Sequence, residues 1–169
     1  MSSIERPRKL CADDVLSTFD CGQLDLNEWL HRHALTNQRA GMATVFVTKE
    51  RDSPHVVGYY ALATRGVENA AAPTRVTKGV PRHPLPVILL TRLAVDISVQ
   101  GRKLGRALLI DALRRVDAAS DEVGVRALLI HAKDDDARAF YMRCAEFEPS
   151  PTDPLHLFLL MKDLKKALA

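Results

Sequence analysis

The sequence predicts a mixed α/β fold in a single domain that spans residues 1–169. Short apolar runs rich in Val, Tyr and Phe alternate with amphipathic helical patterns, and no repeat or low-complexity segment interrupts this order. The chain has 169 residues, of which 47% are hydrophobic and 27% are charged. This length and composition are typical of one globular α/β domain.

The first part of the chain predicts a helix followed by a hairpin. Apolar residues at three- and four-residue spacings predict an amphipathic helix from about Asp25 to Asn37. Ala43–Lys49 and Val56–Ala63 are rich in strand-forming residues, and the segment RDSPH between them has turn chemistry. We expect these two strands to pair as a hairpin.

The second part of the chain alternates helices with buried strands. Residues 64–85 predict an irregular segment with room for one short helix. After it we predict a strand, a helix, a strand, a helix and a strand, over Pro86–Val95, Arg102–Glu122, Ala127–Ala132, Ala137–Phe147 and Leu155–Met161. Asp134–Asp136 supply N-cap acceptors for the second of these helices. The first two of these strands are expected to be joined by a right-handed crossover.

Charge and cysteine content exclude several classes of protein. The formal charge is +3 and the pI is near 8.9. This mild excess of basic residues permits an acidic partner, but it is smaller than the excess expected of a dedicated nucleic-acid-binding protein. The charged first residues and the lack of any apolar run of roughly 18 residues predict a cytoplasmic protein without a membrane anchor. Its three cysteines, which we expect to be buried, suggest neither a disulfide framework nor a metal site.

The segment LLTRLAVDISVQGRKLGRALLIDAL carries the clearest chemical signal. A buried strand leads through a short loop with Gly101 and Gly105 directly into an amphipathic helix. Glycines let the backbone approach an anion closely, and the first free amides of a helix face it with partial positive charge. Arg102, Lys103 and Arg106 add cationic side chains. The segment therefore predicts a phosphate-binding turn.

Two motifs in this part of the chain resemble those of the GNAT superfamily of N-acetyltransferases. Gln100 and Gly105 match the first and last positions of its [RQ]-x-x-G-x-[GA] signature, with Lys103 where the middle glycine is usual. The segment from Asp134 to Tyr141, DDDARAFY, is similar to the superfamily's N-x-x-A-x-x-F-Y. The resemblance implies the GNAT fold, a central mixed twisted sheet flanked by helices on both faces. It also implies acetyl-CoA as co-substrate.

The resemblance assigns the cofactor contacts residue by residue. It implies that the backbone of three strand residues binds the pantetheine arm, that the turn binds the pyrophosphate, and that the following motif completes the site. These residues are Leu93, Ala94 and Val95; Gln100, Gly101, Arg102, Lys103, Leu104, Gly105 and Arg106; and Asp134, Ala137 and Phe140. Lys103 leaves two conformations open, since it adopts either a strained positive φ or ordinary helical angles.

A narrower resemblance concerns the acceptor of the acetyl group. The segments FDCG, LNEWL, NQRAG, GYYAL and RLAVD, between residues 19 and 96, resemble those of TacT-type toxins, and the likeness extends over residues 10–161. It implies a toxin that acetylates the α-amino group of aminoacyl-tRNA and so blocks translation. It further implies a ribbon-helix-helix antitoxin as partner, and a homodimer.

The residues are compatible with an α-amino acceptor. An α-amino group with a pKa of about 7.7 to 8.0 is neutral in roughly a tenth of molecules at pH 7, so its attack needs no dedicated base. Asp96 and His131 are the nearest candidates for a base, and we assign neither a catalytic role. Tyr141 keeps its proton at neutral pH and can donate it to the departing thiolate, as the resemblance also implies.

Four basic residues are candidates for contacts with the tRNA. They are Arg92, Arg75, Lys78 and Arg82. Arg92 is equally suited to pairing with a structural carboxylate. Two other functions share the same cofactor site: acetylation of a small-molecule amine or a protein lysine, and non-catalytic sensing of acyl-CoA. Retention of Tyr141 argues against the sensor.

Overall fold

Seven strands run through residues 3 to 169, the part of the chain that the computed structural model describes. They are β1 (Arg8–Lys9), β2 (Thr44–Lys49), β3 (Val56–Val67), β4 (Leu85–Val95), β5 (Ala127–His131), β6 (Glu148–Pro149) and β7 (His156–Leu160). They form one sheet in the order β1-β2-β3-β4-β5-β7-β6. β2 and β3 pair antiparallel, β4 and β5 parallel, and β5 and β7 antiparallel. The sheet is therefore mixed, as the sequence predicts.

The helices of the described residues are mostly short. They are α1 (Leu24–Glu28), α2 (Ala34–Arg39), α3 (Thr74–Thr77), α4 (Leu104–Ser120), α5 (Asp135–Cys144) and α6 (Met161–Leu168). A π-helical turn, Trp29–His33, joins α1 to α2. The helix predicted over Asp25–Asn37 is thus present as a continuous helical stretch with one widened turn. None of the described helices combines the length and the apolar character that crossing a bilayer requires.

The chain divides into two compact units. The first contains the residues up to Ala63 together with Thr91–Ala112, and the second contains Thr64–Leu90 together with Leu113–Ala169. Each has a core of its own. That of the first includes Phe19, Leu30, Val45, Tyr59 and Ala61. That of the second includes Val76, Val87, Leu129, Phe158 and Leu160.

Some element boundaries differ from the prediction. β3 continues to Val67, so residues 64–67, predicted to be irregular, belong to a strand. The rest of that segment contains a 3₁₀ turn at Asn69–Ala71 and the short helix α3. The sequence gives no sign of β1, β6 or α6. Helix α6 follows β7 without an intervening turn, so no loop residue marks where strand periodicity ends.

The cysteines also differ from the prediction in one respect. All three are free thiols, but Cys11 is exposed and the other two are only half-buried. The expectation that they are buried small residues is wrong.

Candidate active site

The turn between β4 and α4 has the backbone of an anion-binding loop. A 3₁₀ turn at Ile97–Val99 follows β4, and α4 begins at Leu104. Between them Gly101 has φ +83° and Lys103 has φ +62°. Residues 100–106, here called the anion turn, thus combine two left-handed residues with a helix N-terminus, the arrangement that directs successive amides toward one side.

The amides of the anion turn are available to a ligand. No hydrogen bond is recorded from the amides of residues 101–106 to any other described residue. The first amide of α4 with a helical partner is that of Ala107, which donates to the carbonyl of Lys103 at 3.1 Å. A Cβ atom at Gly101 would meet nothing within 4 Å. Free amides beside open space fit the oxygens of a diphosphate.

Lys103 adopts the conformation that a glycine would take. Of the two alternatives left open by the sequence, the positive φ is the one observed, at +62°. A left-handed residue with a Cβ costs roughly 1–2 kcal/mol relative to the right-handed region. The turn thus keeps its backbone shape without the middle glycine of the signature, and it places an exposed ammonium group at that position.

Two side chains fix the segment that leads into the anion turn and the first residue of the turn. Asp96 accepts hydrogen bonds from the amide and hydroxyl of Ser98, at 2.9 and 2.7 Å, and from the amide of Asp20 at 2.9 Å. Gln100 donates its side-chain amide to the carbonyls of Cys21 at 3.1 Å and Val95 at 2.9 Å. Asp96 therefore has a structural role, which accounts for its position beside the motif.

Helix α5 carries the second motif. Asp134 caps it, because its carboxylate accepts a hydrogen bond from the amide of Ala137 at 2.8 Å. Tyr141 is 7% exposed, and its ring makes edge contacts with Phe140 and Phe147 at centroid separations of 5.2 and 6.2 Å. Burial raises the pKa of Tyr141. Its phenol therefore holds its proton at neutral pH and is a donor.

The four basic candidates lie in very different surroundings. Arg75 pairs with Asp163, at 2.9 Å, and with Glu148, and these carboxylates raise its pKa. Its charge is therefore neutralised within the second unit. Lys78 and Arg82 are exposed.

Arg92 belongs to a stack of three planar groups. Its guanidinium carbon lies 4.3 Å from the ring centroid of Trp29, and Trp29 stacks on Tyr59 at 6.0 Å with an interplanar angle of 14°. Burial lowers the pKa of Arg92, although an arginine remains charged throughout the physiological range. The partner of Arg92 among residues 3–169 is thus an indole, and not the carboxylate that the sequence also suggested.

A family comparison identifies this arrangement. The model of the acetyltransferase (GNAT) family matches residues 11–147, which include the anion turn and Tyr141. The chain belongs to the GNAT family of acetyltransferases. Its mixed sheet and its helices form the GNAT fold, as the two motifs predict.

Relatives of this GNAT acetyltransferase act on tRNA. The chain is 50% identical over 165 residues to a tRNA-acetylating toxin of Mycobacterium tuberculosis (strain ATCC 25618 / H37Rv), covering 98% of this chain and 97% of the relative. It is 29% identical to the toxin AtaT in a complex with acetyl-methionyl-tRNAfMet, with a TM-score of 0.89 over 99% of this chain and 100% of that one. It is also 28% identical to an AtaT variant bound to acetyl-CoA and to the C-terminus of the antitoxin AtaR, with a TM-score of 0.81 over 97% of each chain.

Two contacts of this GNAT acetyltransferase that the sequence does not predict join residues that are distant along the chain. The stack of Arg92 on Trp29 and the pairing of Arg75 with Asp163 join residues more than sixty positions apart. No local sequence pattern around these residues predicts the two contacts. Within residues 3–169, no group of three or more His, Cys, Asp or Glu side chains lies where it could hold a metal ion.

Proposed function

We propose that this GNAT acetyltransferase transfers the acetyl group of acetyl-CoA to the α-amino group of an aminoacyl-tRNA, and that it acts as the toxin of a toxin-antitoxin pair. The observation that carries this proposal is the 50% identity, over almost the whole of both chains, to a tRNA-acetylating toxin. The solved complex of AtaT with an acetylated aminoacyl-tRNA supports the same acceptor. An acetylated α-amino group can no longer form a peptide bond, so such a product blocks translation.

The anion turn fits the diphosphate of coenzyme A. The free amides of residues 101–106 supply its hydrogen-bond donors, and the exposed side chains of Arg102, Lys103 and Arg106 add positive charge. Acetyl-CoA supplies the activated acetyl group as a thioester. We assign the pantetheine arm to the backbone of Leu93, Ala94 and Val95, and further contacts to Asp134, Ala137 and Phe140.

Tyr141 is the general acid in this proposal. Negative charge develops on the sulfur of coenzyme A as the carbon–sulfur bond breaks, and a phenol placed beside that sulfur can donate its proton to it in the transition state. The buried phenol of Tyr141 is protonated at neutral pH, because burial raises its pKa. The acceptor amine, with a pKa of about 7.7 to 8.0, supplies enough of its neutral form without a base. The structural role of Asp96 is consistent with a reaction that uses no dedicated base.

Three of the four basic candidates remain suited to the tRNA. Lys78 and Arg82 are exposed, and Arg92 presents its guanidinium on the face of Trp29. Arg75 is the weakest candidate, because Asp163 and Glu148 already hold its guanidinium. Phosphate contacts make affinity depend on salt, so binding of charged tRNA should fall steeply between low and moderate salt.

The proposal extends to partners and location. The antitoxin bound by AtaT supports an antitoxin partner, which we propose is of the ribbon-helix-helix type, and we propose a homodimer. We also propose that the reaction takes place in the cytoplasm, where charged tRNA and the ribosome occur. We propose a single functional domain, which the match of the family model over residues 11–147 supports.

A direct assay tests the proposed function. The protein is incubated with labelled acetyl-CoA and a mixed pool of charged tRNA, and the acetylated amino acid is identified by mass spectrometry. We expect label on the α-amino group of one or more aminoacyl-tRNAs and none on uncharged tRNA. Label only on polyamines or protein lysines would overturn the proposal. Binding of acetyl-CoA without any turnover would also overturn it, in favour of a sensor.

A further inference from the structure

A cavity of about 410 Å³ lies wholly within the second unit and includes no residue assigned to the anion turn or to helix α5. Its polar wall consists of Arg65, Glu68, His131, Thr152, Asp153 and His156. Leu129 and Phe158 contribute apolar surface. The volume lies within the range of roughly 300–1,000 Å³ that is usual for ligand sites. We call it the histidine cavity.

The two imidazole rings of the cavity form a stacked pair. His131 and His156 are directly opposed in the antiparallel ladder of β5 and β7, and their ring centroids lie 3.8 Å apart with an interplanar angle of 14°. Burial, and then the neighbouring His156 and Arg65, lower the pKa of His131 to about 4. At neutral pH its ring is therefore uncharged, and the pair lines the cavity with two flat imidazole groups. Unpaired bases stack on flat side chains of this kind.

Charged groups of both signs flank the stacked pair. Arg65 is exposed and close enough to influence His131, and no ion pair with a carboxylate is recorded for it among the described residues. Arg75 differs from Arg65, because two carboxylates pair with the guanidinium of Arg75. Asp153 Oδ2 lies 3.3 Å from His156 Nε2. Asp153 and Glu68 offer acceptors for hydroxyl and amino groups.

A stacking surface, an uncommitted cation and hydrogen-bond acceptors in one cavity match the three parts of a nucleotide: its base, its phosphate and its ribose hydroxyls. A polyamine or a lysine side chain has no planar ring to use the imidazole pair. We propose that the histidine cavity binds the unpaired 3′-terminal nucleotide of the charged tRNA, with its base on the His131–His156 stack and its phosphate against Arg65. This inference rests on the proposed function and names the part of the acceptor that the cavity would recognise.

The test compares two acceptors and four variants. Steady-state kinetics are measured with charged tRNA and with a free amino acid amide, which has the same α-amino group but no nucleotide. His131→Ala removes half of the stack, His131→Phe restores a planar ring, and Arg65→Gln removes the cation. His55→Ala is the matched control, because His55 is an exposed histidine of the first unit that hydrogen-bonds to Thr18. Thermal unfolding confirms that each variant is folded.

We expect His131→Ala to raise KM for charged tRNA by about tenfold, since base stacking on one side chain is worth about 1–3 kcal/mol. The KM for the amide and the Kd for acetyl-CoA should not change. His131→Phe should recover most of the loss. Arg65→Gln should also raise KM for charged tRNA, and it should reduce the slope of log affinity against log salt by about 0.7, the value for one phosphate of a single strand. His55→Ala should behave as wild type.

The failure of this inference is distinguishable from failure of the proposed function. If the wild-type protein acetylates charged tRNA while His131→Ala and Arg65→Gln keep the wild-type KM, the cavity assignment is overturned and the proposed function stands. If the wild-type protein does not acetylate charged tRNA, the proposed function fails. Whether the histidine cavity binds a nucleotide is then tested by titrating the protein with adenosine 5′-monophosphate. Shifted imidazole resonances of His131 and His156 would support a nucleotide site, and unchanged resonances would overturn it.

Discussion

The anion turn and helix α5 illustrate two ways in which a chain supplies chemistry. In the anion turn the proposed functional atoms are backbone amides, and Lys103 replaces the usual glycine while the left-handed conformation is kept. In helix α5 the proposed functional atom is one phenol oxygen, on Tyr141. A site made of main chain depends on backbone shape and tolerates different side chains. A site made of one side-chain atom does not tolerate its loss.

The largest effect should come from removing that atom. Tyr141→Phe should lower kcat by about a hundredfold to ten-thousandfold, the usual contribution of general acid catalysis, while the Kd for acetyl-CoA stays nearly unchanged. The measurements are single-turnover kinetics and calorimetry. Tyr60→Phe is the matched control, because it removes another buried phenol hydroxyl, one that donates to Asp111. Its kcat should remain close to wild type, and an equal loss in both variants would remove Tyr141 from the mechanism.

A change of backbone preference should have a smaller effect. Gly101→Ala places a Cβ on a residue with φ +83°, where space is open, so only the conformation is penalised. We expect a loss of about tenfold in affinity for coenzyme A, from a strain of roughly 1–2 kcal/mol. Gly124→Ala tests the same added methyl group, also in open space, at a position without a positive φ. Equal affinities of the two variants by calorimetry would show that the conformation of residue 101 is unimportant.

The smallest effect should come from the side chain at position 103. Lys103→Gly keeps the left-handed conformation without strain but removes one positive charge, so we expect affinity for coenzyme A within about threefold of wild type, with a weaker dependence on salt. Lys103→Ala removes the charge and keeps the strain. If Lys103→Gly abolished binding, the ammonium group would be essential, and the contrast between the anion turn and helix α5 would no longer hold.

Much of the fold could be predicted because its signals are local. The periodicity of residues 104–120, the cap at Asp134 and the apolar runs of β4 and β5 each lie within a few neighbouring positions. The features that could not be predicted depend on residues brought together by folding. The indole beneath Arg92 and the carboxylates that hold Arg75 are examples, and both change the interpretation of a basic residue.

The φ of Lys103 is an intermediate case. The signature identifies position 103 as one where glycine is usual, and the residue type alone favours ordinary helical angles. The observed value of +62° shows that the requirements of the turn override the preference of the residue. The motif therefore predicts where the turn lies, but it leaves open two backbone conformations of the same lysine.

The supports of the anion turn lie far from it in the sequence. The carbonyl of Asp20 accepts a hydrogen bond from the amide of Ile97 at 2.8 Å, and the contacts of Asp96 with Asp20 and of Gln100 with Cys21 lie beside it. A truncated protein that lacks residues 1–22 would still contain every position of the phosphate signature. It would nevertheless lack the segment that forms these hydrogen bonds with the turn. Intactness of the motif in a shortened gene is therefore no guarantee of a working enzyme.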